Sequence, residues 1–275
     1  NTRSDVSPAV HAPRVLIFDS GVGSLSIGAA IHRLIPQANL LYAMDHGGFP
    51  YGEWQEDALV PHICQAVSAL LQKHHADILV MACNSASTAV LPALRGILNI
   101  PVVGVVPAIK PAAQRSRSGV IGLLATPGTV ARAYTAQLIK DFASHCCVIA
   151  VGSRSLAPAI ESQFWNDSSV DEVLQQIKAE LCKHPRAADM DTVVLACTHF
   201  PLIQKPLAEL MPGIEWIDSG DAIARRVQHL IGELNLPLDK GDSEGNREVI
   251  ILGEERATPT LTSQLESLGL KLIDY

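Results

Sequence analysis

Residues 77–83 read DILVMAC, and residues 191–197 read DTVVLAC. Each stretch is an aspartate, a run ending in apolar side chains and a cysteine, with two polar residues behind it: Asn84-Ser85 in the first, Thr198-His199 in the second. Short unbroken runs rich in Val and Leu are typical of strands buried on both faces, as in a parallel sheet. A weaker echo lies upstream of each, LIFDSGVG from Leu16 and GLLATPGT from Gly122. Cys83 and Cys197 stand 114 positions apart, and the upstream pair has a similar offset. The echoes predict a duplicated βα unit, with equivalent strand ends facing each other across a cleft. The plain alternative is that buried parallel strands all resemble one another.

Short apolar runs alternate with amphipathic stretches along the chain, the pattern of helices packed on parallel sheets. Strands are expected over 14–19, 39–44, 77–82, 102–106, 120–125, 147–151, 192–196, 216–218 and 248–252. Helices are expected over 26–34, 58–74, 88–98, 129–142, 156–163 and 170–183, with another after Pro201. Residues 45–52 (DHGGFPYG) and 240–247 (KGDSEGNR) are dense in turn formers and read as loops. The fold class is α/β, with two pseudo-symmetric domains, each a mainly parallel sheet flanked by helices, and an active site in the cleft between them. Residues 1–13, polar and containing Pro, read as a flexible arm, with no apolar run of the kind a secretory signal needs.

Composition narrows the function classes. The 275 residues are 48% hydrophobic, enough for a large core in one or two compact domains. The net charge of −7 and the lack of a long basic cluster argue against direct nucleic-acid binding. No apolar run approaches the roughly 18 residues of a membrane span. Six cysteines, at 64, 83, 146, 147, 182 and 197, form no C-x-x-C pair and stand at no zinc-site spacing with histidine. Free thiols in a reducing cytoplasm are the simplest reading. The glycines of DSGVGS do not complete a dinucleotide fingerprint, because Ser26 stands where its last glycine belongs.

Ligands of parallel α/β sheets collect at the carboxyl ends of strands. That rule selects Asp19-Ser20, Tyr51-Gly52, Cys83-Asn84-Ser85 and Cys197-Thr198-His199. Cys64, Cys146, Cys147 and Cys182 read as small core hydrophobes. Cys83 and Cys197 each leave the core at a strand end, just before a helix start whose dipole favours a thiolate. Two chemically alike groups in equivalent places suit the inversion of a carbon centre, one taking a proton from one face while the other returns one to the opposite face. A thiol, with an ordinary pKa of about 8.5, is within reach of that work. Asp19 either orients Cys83 or holds a substrate ammonium, unless it merely caps a turn; His199 supports Cys197 in the same way or begins a helix. Ser20, Asn84, Ser85 and Thr198 offer short polar groups to a carboxylate, and are also ordinary helix caps.

The motifs FDSGVGSLS, PYGE, ACNSAST, GLLATPGTV and ACTHFPL, in this order from residue 18 to residue 202, resemble the glutamate racemase family. PVVGVVPAIKPAA, over 101–113, is similar to its proteobacterial branch. The resemblance implies interconversion of L- and D-glutamate for peptidoglycan with no cofactor and no metal. It implies Cys83 and Cys197 as the catalytic pair, supported by Asp19 and His199. It also implies a helper glutamate in LAPAIES, Glu161, whose plain alternative is an exposed helix position. Asp19, Ser20, Tyr51, Gly52, Asn84, Ser85, Thr198 and His199 are the implied substrate contacts. The implied partners are glutamate and a peptidoglycan-precursor activator, without membrane or nucleic acid, in a monomer or homodimer. The implied domains are 14–107 with 218–275, and 108–217. Aspartate racemases of similar scaffold carry Glu after the second Cys-Thr, where this chain has His199. Departures from the glutamate pattern are Ser24 for a glycine, Ser85 for a threonine and Trp54 where a lysine usually follows PYGE.

Overall fold

The computed structural model describes residues 11–238 and 241–275. Most of the expected arm, residues 1–10, lies outside the described residues, as does Lys240 at the start of the expected loop. The chain runs β1 (Arg14–Asp19), α1 (Gly23–Leu34), β2 (Asn39–Asp45), α2 (Glu56–Lys73), β3 (Ile78–Met81), α3 (Asn84–Ile97) and β4 (Val102–Val103). It continues through α4 (Ile109–Arg115), β5 (Val120–Ala125), α5 (Pro127–Ala131), α6 (Ala133–Phe142), β6 (Cys147–Gly152), α7 (Leu156–Asn166) and α8 (Asp171–Cys182). Then follow β7 (Thr192–Leu195), α9 (Gln204–Leu210), β8 (Glu215–Ile217), α10 (Gly220–Glu233), β9 (Arg247–Leu252), α11 (Pro259–Ser267) and β10 (Lys271–Leu272).

The strands form two parallel sheets, in the orders β10-β9-β2-β1-β3-β4 and β6-β5-β7-β8. The order β2-β1-β3-β4 in the first recurs as β6-β5-β7-β8 in the second. The register recurs too. Leu16 is opposite Leu79 and Gly122 is opposite Val193, so the residues linked by the two sequence echoes occupy the same rungs. The ends of β3 and β7, with Cys83 and Cys197 just beyond them, are therefore equivalent points in two copies of one unit.

Alternation along the central strands divides the core. Val15 and Ile17 of β1 face a cluster that continues through Val193 and Leu195 of β7, while Leu16 and Phe18 face α2 and α3. Val194 and Ala196 pack under α4. The apolar cluster shared by both sheets ties the two halves together around the strand ends.

Several expected boundaries move, each for a tertiary reason. The helix expected from 26 starts at Gly23, because this turn glycine itself enters it, with Val22 as the N-cap. A Cβ on Gly23 would lie 2.5 Å from Thr198 Oγ1 and 2.7 Å from Asp19 Oδ2 and His199 Nδ1. The helix expected from 88 starts at Asn84, with Cys83 as its N-cap. The single helix expected over 129–142 breaks at Arg132, which is extended (φ −70, ψ 140). Its guanidinium reaches across to the Ser85 carbonyl and to Thr88 Oγ1 (2.6 Å). The strand expected over 102–106 stops at Val103, since the N–H of Val105 donates to Ser87 Oγ (3.1 Å) instead of a neighbouring strand. The helix after Pro201 is preceded by a 3-10 turn, Phe200–Ile203. No helix among the described residues is long and apolar enough to cross a membrane.

Candidate active site

Cys83 and Cys197 line one cavity together with Asp19, Ser20, Tyr51, Gly52, Asn84, Ser85, Thr198 and His199. The two cysteines are only 8% and 9% exposed, so each thiol is shielded by protein yet open to the same small space. That space is about 30 Å³, enough to admit water.

The Cys197 side carries a buried chain of charge. His199 Nε2 and Glu161 Oε2 are 2.7 Å apart, and both residues are buried. Burial alone lowers the pKa of His199, but hydrogen bonds to Cys197 and Glu161, and the charge of Glu161, outweigh it and hold the ring well above its ordinary value. This favours the protonated ring beside Cys197. Glu161 is not on an exposed helix face: its Oε2 also accepts from the Val22 N–H (2.9 Å), and its Oε1 accepts from Trp165 Nε1 (3.0 Å). Sequence spacing left Glu161 ambiguous because His199 lies 38 positions away and Val22 139.

On the opposite side the thiol keeps its proton. Burial, then the charge of Asp19, push Cys83 well above the ordinary thiol value, against a downward pull from the Ala86 and Ser85 N–H groups at the start of α3. Asp19 is raised to about 6, chiefly by burial and partly by Glu161, while His199 pulls it down. Asp19 Oδ2 accepts from the Gly21 N–H at 3.2 Å. A carboxyl whose pKa is raised on folding favours the fold fully below its unfolded value and loses that contribution as pH rises through the folded one. The ionised Asp19 thus costs on the order of 3 kcal/mol above pH 6. Asp19→Asn is expected to stabilise the protein at pH 8 and to lose the gain at pH 4, while lowering activity. Urea unfolding at both pH values checks this, and an equal difference at the two pH values would contradict it.

The short polar residues divide between scaffold and cleft. Thr198 Oγ1 donates to the Ala82 carbonyl (2.9 Å) and Ser26 Oγ to the Thr198 carbonyl (2.6 Å), stitching the two strand ends together. Ser85 Oγ meets Thr126 Oγ1 at 3.1 Å. Asn84 Oδ1 is buried with no hydrogen-bond partner among the described residues. The Tyr51 ring lines the cavity, but its hydroxyl donates to Asp45 Oδ2 (2.5 Å), which also meets His62 Nε2 (2.6 Å). Burial, then Asp45, raise the Tyr51 pKa far above its ordinary value, so the phenol stays protonated. Ser24 Oγ closes the first turn on the Gly21 carbonyl (3.0 Å). Trp54 closes the second, its Nε1 donating to the Gly48 carbonyl (2.8 Å) and its ring lying against His62.

The sequence reading missed Thr126, Phe49, Pro50 and Ala157 in the lining, and Asp45 and His62 behind it. Thr126 was findable: in the upstream echo it is the counterpart of Ser20. No group of three or more His, Cys, Asp and Glu side chains among the described residues is arranged to hold a metal ion.

The profile of the family described as Asp/Glu/Hydantoin racemase matches residues 26–227. The chain is 44% identical over 257 residues to a glutamate racemase of Vibrio campbellii, covering 93% of each chain. It is 46% identical to a glutamate racemase of Photorhabdus laumondii, covering 84% of this chain and 80% of that one. Among solved structures, it is similar to Escherichia coli glutamate racemase in complex with L-glutamate and the activator UDP-MurNAc-ala. That match has a TM-score of 0.84 and 40% identity, and covers 96% of this chain and 98% of the other.

Proposed function

The chain belongs to the Asp/Glu/Hydantoin racemase family, and we propose that it is a glutamate racemase that moves the α-proton between two cysteines without a cofactor. The observation that carries this reading is the placement of Cys83 and Cys197 after register-equivalent strands, open to one cavity. In one direction Cys197, as thiolate beside the His199 imidazolium, takes the α-proton. The electron pair left on the α-carbon spreads into the adjacent carboxylate. Cys83, held as a thiol, then delivers its proton to the opposite face. Turnover leaves the proton on Cys197 and the charge on Cys83, which is the starting state for the other enantiomer. Asp19, at about 6, is placed to take up or return a proton beside Cys83.

Substrate contacts follow from what each group lacks. The buried Asn84 Oδ1 is an acceptor wanting a donor, which an α-ammonium supplies. Ser85, Thr126 and the first-turn N–H groups of α3 offer donors to a carboxylate. Tyr51 contributes its ring face and Gly52 its backbone. We assign residues 14–107 with 218–275, and 108–217, as the two bodies that part to admit glutamate. A cytoplasmic enzyme supplying D-glutamate for peptidoglycan, regulated by a peptidoglycan precursor of the UDP-MurNAc-ala kind, fits the E. coli relative.

The test is polarimetric. With purified protein, the circular dichroism of L-glutamate should decay to zero while that of L-aspartate persists, with and without added UDP-MurNAc-ala. Equal turnover of aspartate would redirect the reading to a broader acidic amino-acid racemase.

A further inference from the structure

Glu161 has two carboxylate oxygens with different duties. Oε2 serves His199 and the Val22 N–H, while Oε1 accepts from the Trp165 indole, at 3.0 Å, and from no other group among the described residues. The terminal torsion of a glutamate is broad, so a donor fixed at one oxygen decides where the other one points. Trp165 lies four positions after Glu161 on α7, on the same helix face. It is itself fixed from outside that helix. Its ring stacks on His46, with centroids 4.0 Å apart and planes 23° apart, and its carbonyl accepts from the Thr258 hydroxyl that caps α11. His46 follows β2 and Thr258 precedes β10, both strands of the first sheet, whereas α7 follows β6 of the second. The space beside the carboxylate is full as well: a Cβ on Gly21 would come within 2.3 Å of Glu161 Oε2.

We propose that Trp165 is a positioning residue for proton transfer at Cys197: stacked on His46, its indole N–H orients Glu161, which orients His199 against the thiol. The inference rests on the two-cysteine reading given above. Because the stack joins the two halves, Glu161 is oriented only when they are docked around the cleft.

The experiment compares Trp165→Phe, which keeps a ring on His46 but removes the N–H, with His46→Ala and His46→Phe, which remove and restore the stack. The enzyme is assayed in both directions with α-protonated and α-deuterated glutamate. Losing one hydrogen bond to a charged group should lower kcat roughly tenfold. Slower transfer at Cys197 should raise the α-deuterium isotope effect for the enantiomer whose proton Cys197 takes. For the other enantiomer the effect should fall, because the slowed step there is delivery by Cys197 rather than abstraction. A loss of folded protein would change neither isotope effect. His46→Phe should keep most of the rate that His46→Ala loses. Unchanged isotope effects in Trp165→Phe would overturn the proposal. Should Trp165→Phe not fold, equal rates for the two His46 variants would overturn it instead. A wild-type protein that racemizes no glutamate would refute the underlying reaction, a separate outcome.

Discussion

Cys83→Ser and Cys197→Ser should each lower glutamate racemization by roughly 10³-fold, the scale at which a positioned acid or base contributes. A serine hydroxyl has nearly the size of a thiol but is far less acidic, so the variant retains a shape and loses an ionisable group. Because the equilibrium constant of a racemization is unity, kcat/KM must fall equally for both enantiomers in each variant. Exchange with solvent separates the two. With Cys83 replaced, Cys197 can still remove an α-proton and return one to the same face, so one enantiomer should exchange without inverting. With Cys197 replaced, the other enantiomer should do so. Proton NMR in D₂O with each pure enantiomer gives the result. Full racemase activity in either variant would exclude the two-thiol mechanism, and exchange of the same enantiomer by both variants would exclude the assignment of one face to each.

Gly23→Ala should be strongly damaging, although glycine itself carries no functional group. Intrinsic preference points the other way, since alanine in a helix is favoured over glycine by about 1 kcal/mol. The new Cβ, however, would lie 2.5 to 2.7 Å from Thr198 Oγ1, Asp19 Oδ2 and His199 Nδ1. Those atoms belong to both sides of the cleft, and displacing reacting groups by about 1 Å costs about 10²-fold. A fall in kcat of roughly that size is therefore expected, together with a lower melting temperature. Gly96→Ala provides the control. It lies in α3 with nothing within 4 Å of a new Cβ, and should leave kcat unchanged while raising the melting temperature slightly. If the two variants behaved alike, crowding at Gly23 would not be the cause.

Much of this arrangement was legible in the chain because it is written in repeats and punctuation. The DILVMAC and DTVVLAC runs gave the two strands, and their offset anticipated the shared register of the two sheets. Arg14–Asp19 and Val120–Ala125 were bounded correctly because polar turn residues follow buried apolar runs. Helix starts were less legible. Gly21-Val22-Gly23 read as a turn, and Asn84-Ser85 as cleft donors or helix caps ahead of a helix expected from 88, whereas in the folded protein Val22 and Cys83 are the caps and Gly23 and Asn84 begin the helices. The break at Arg132 was invisible, since its cause is a contact to Ser85 and Thr88 more than forty positions away. The same applies to the supporting shell. Nothing in the spacing of Asp45 or His62 marks them, and the stack of Trp165 on His46 joins residues far apart in the chain.

The chain is expected to invert glutamate by exchanging its α-proton through its own side chains. The most direct measurement incubates the purified protein with L-glutamate in D₂O, with no added cofactor, and follows circular dichroism and α-deuterium together. The expected result is optical activity falling to zero with deuterium at the α-carbon of the D-product. Racemization with the original α-proton retained in the product would contradict exchange through two solvent-exchangeable thiols. The absence of both signals, with and without UDP-MurNAc-ala, would contradict the glutamate reading itself.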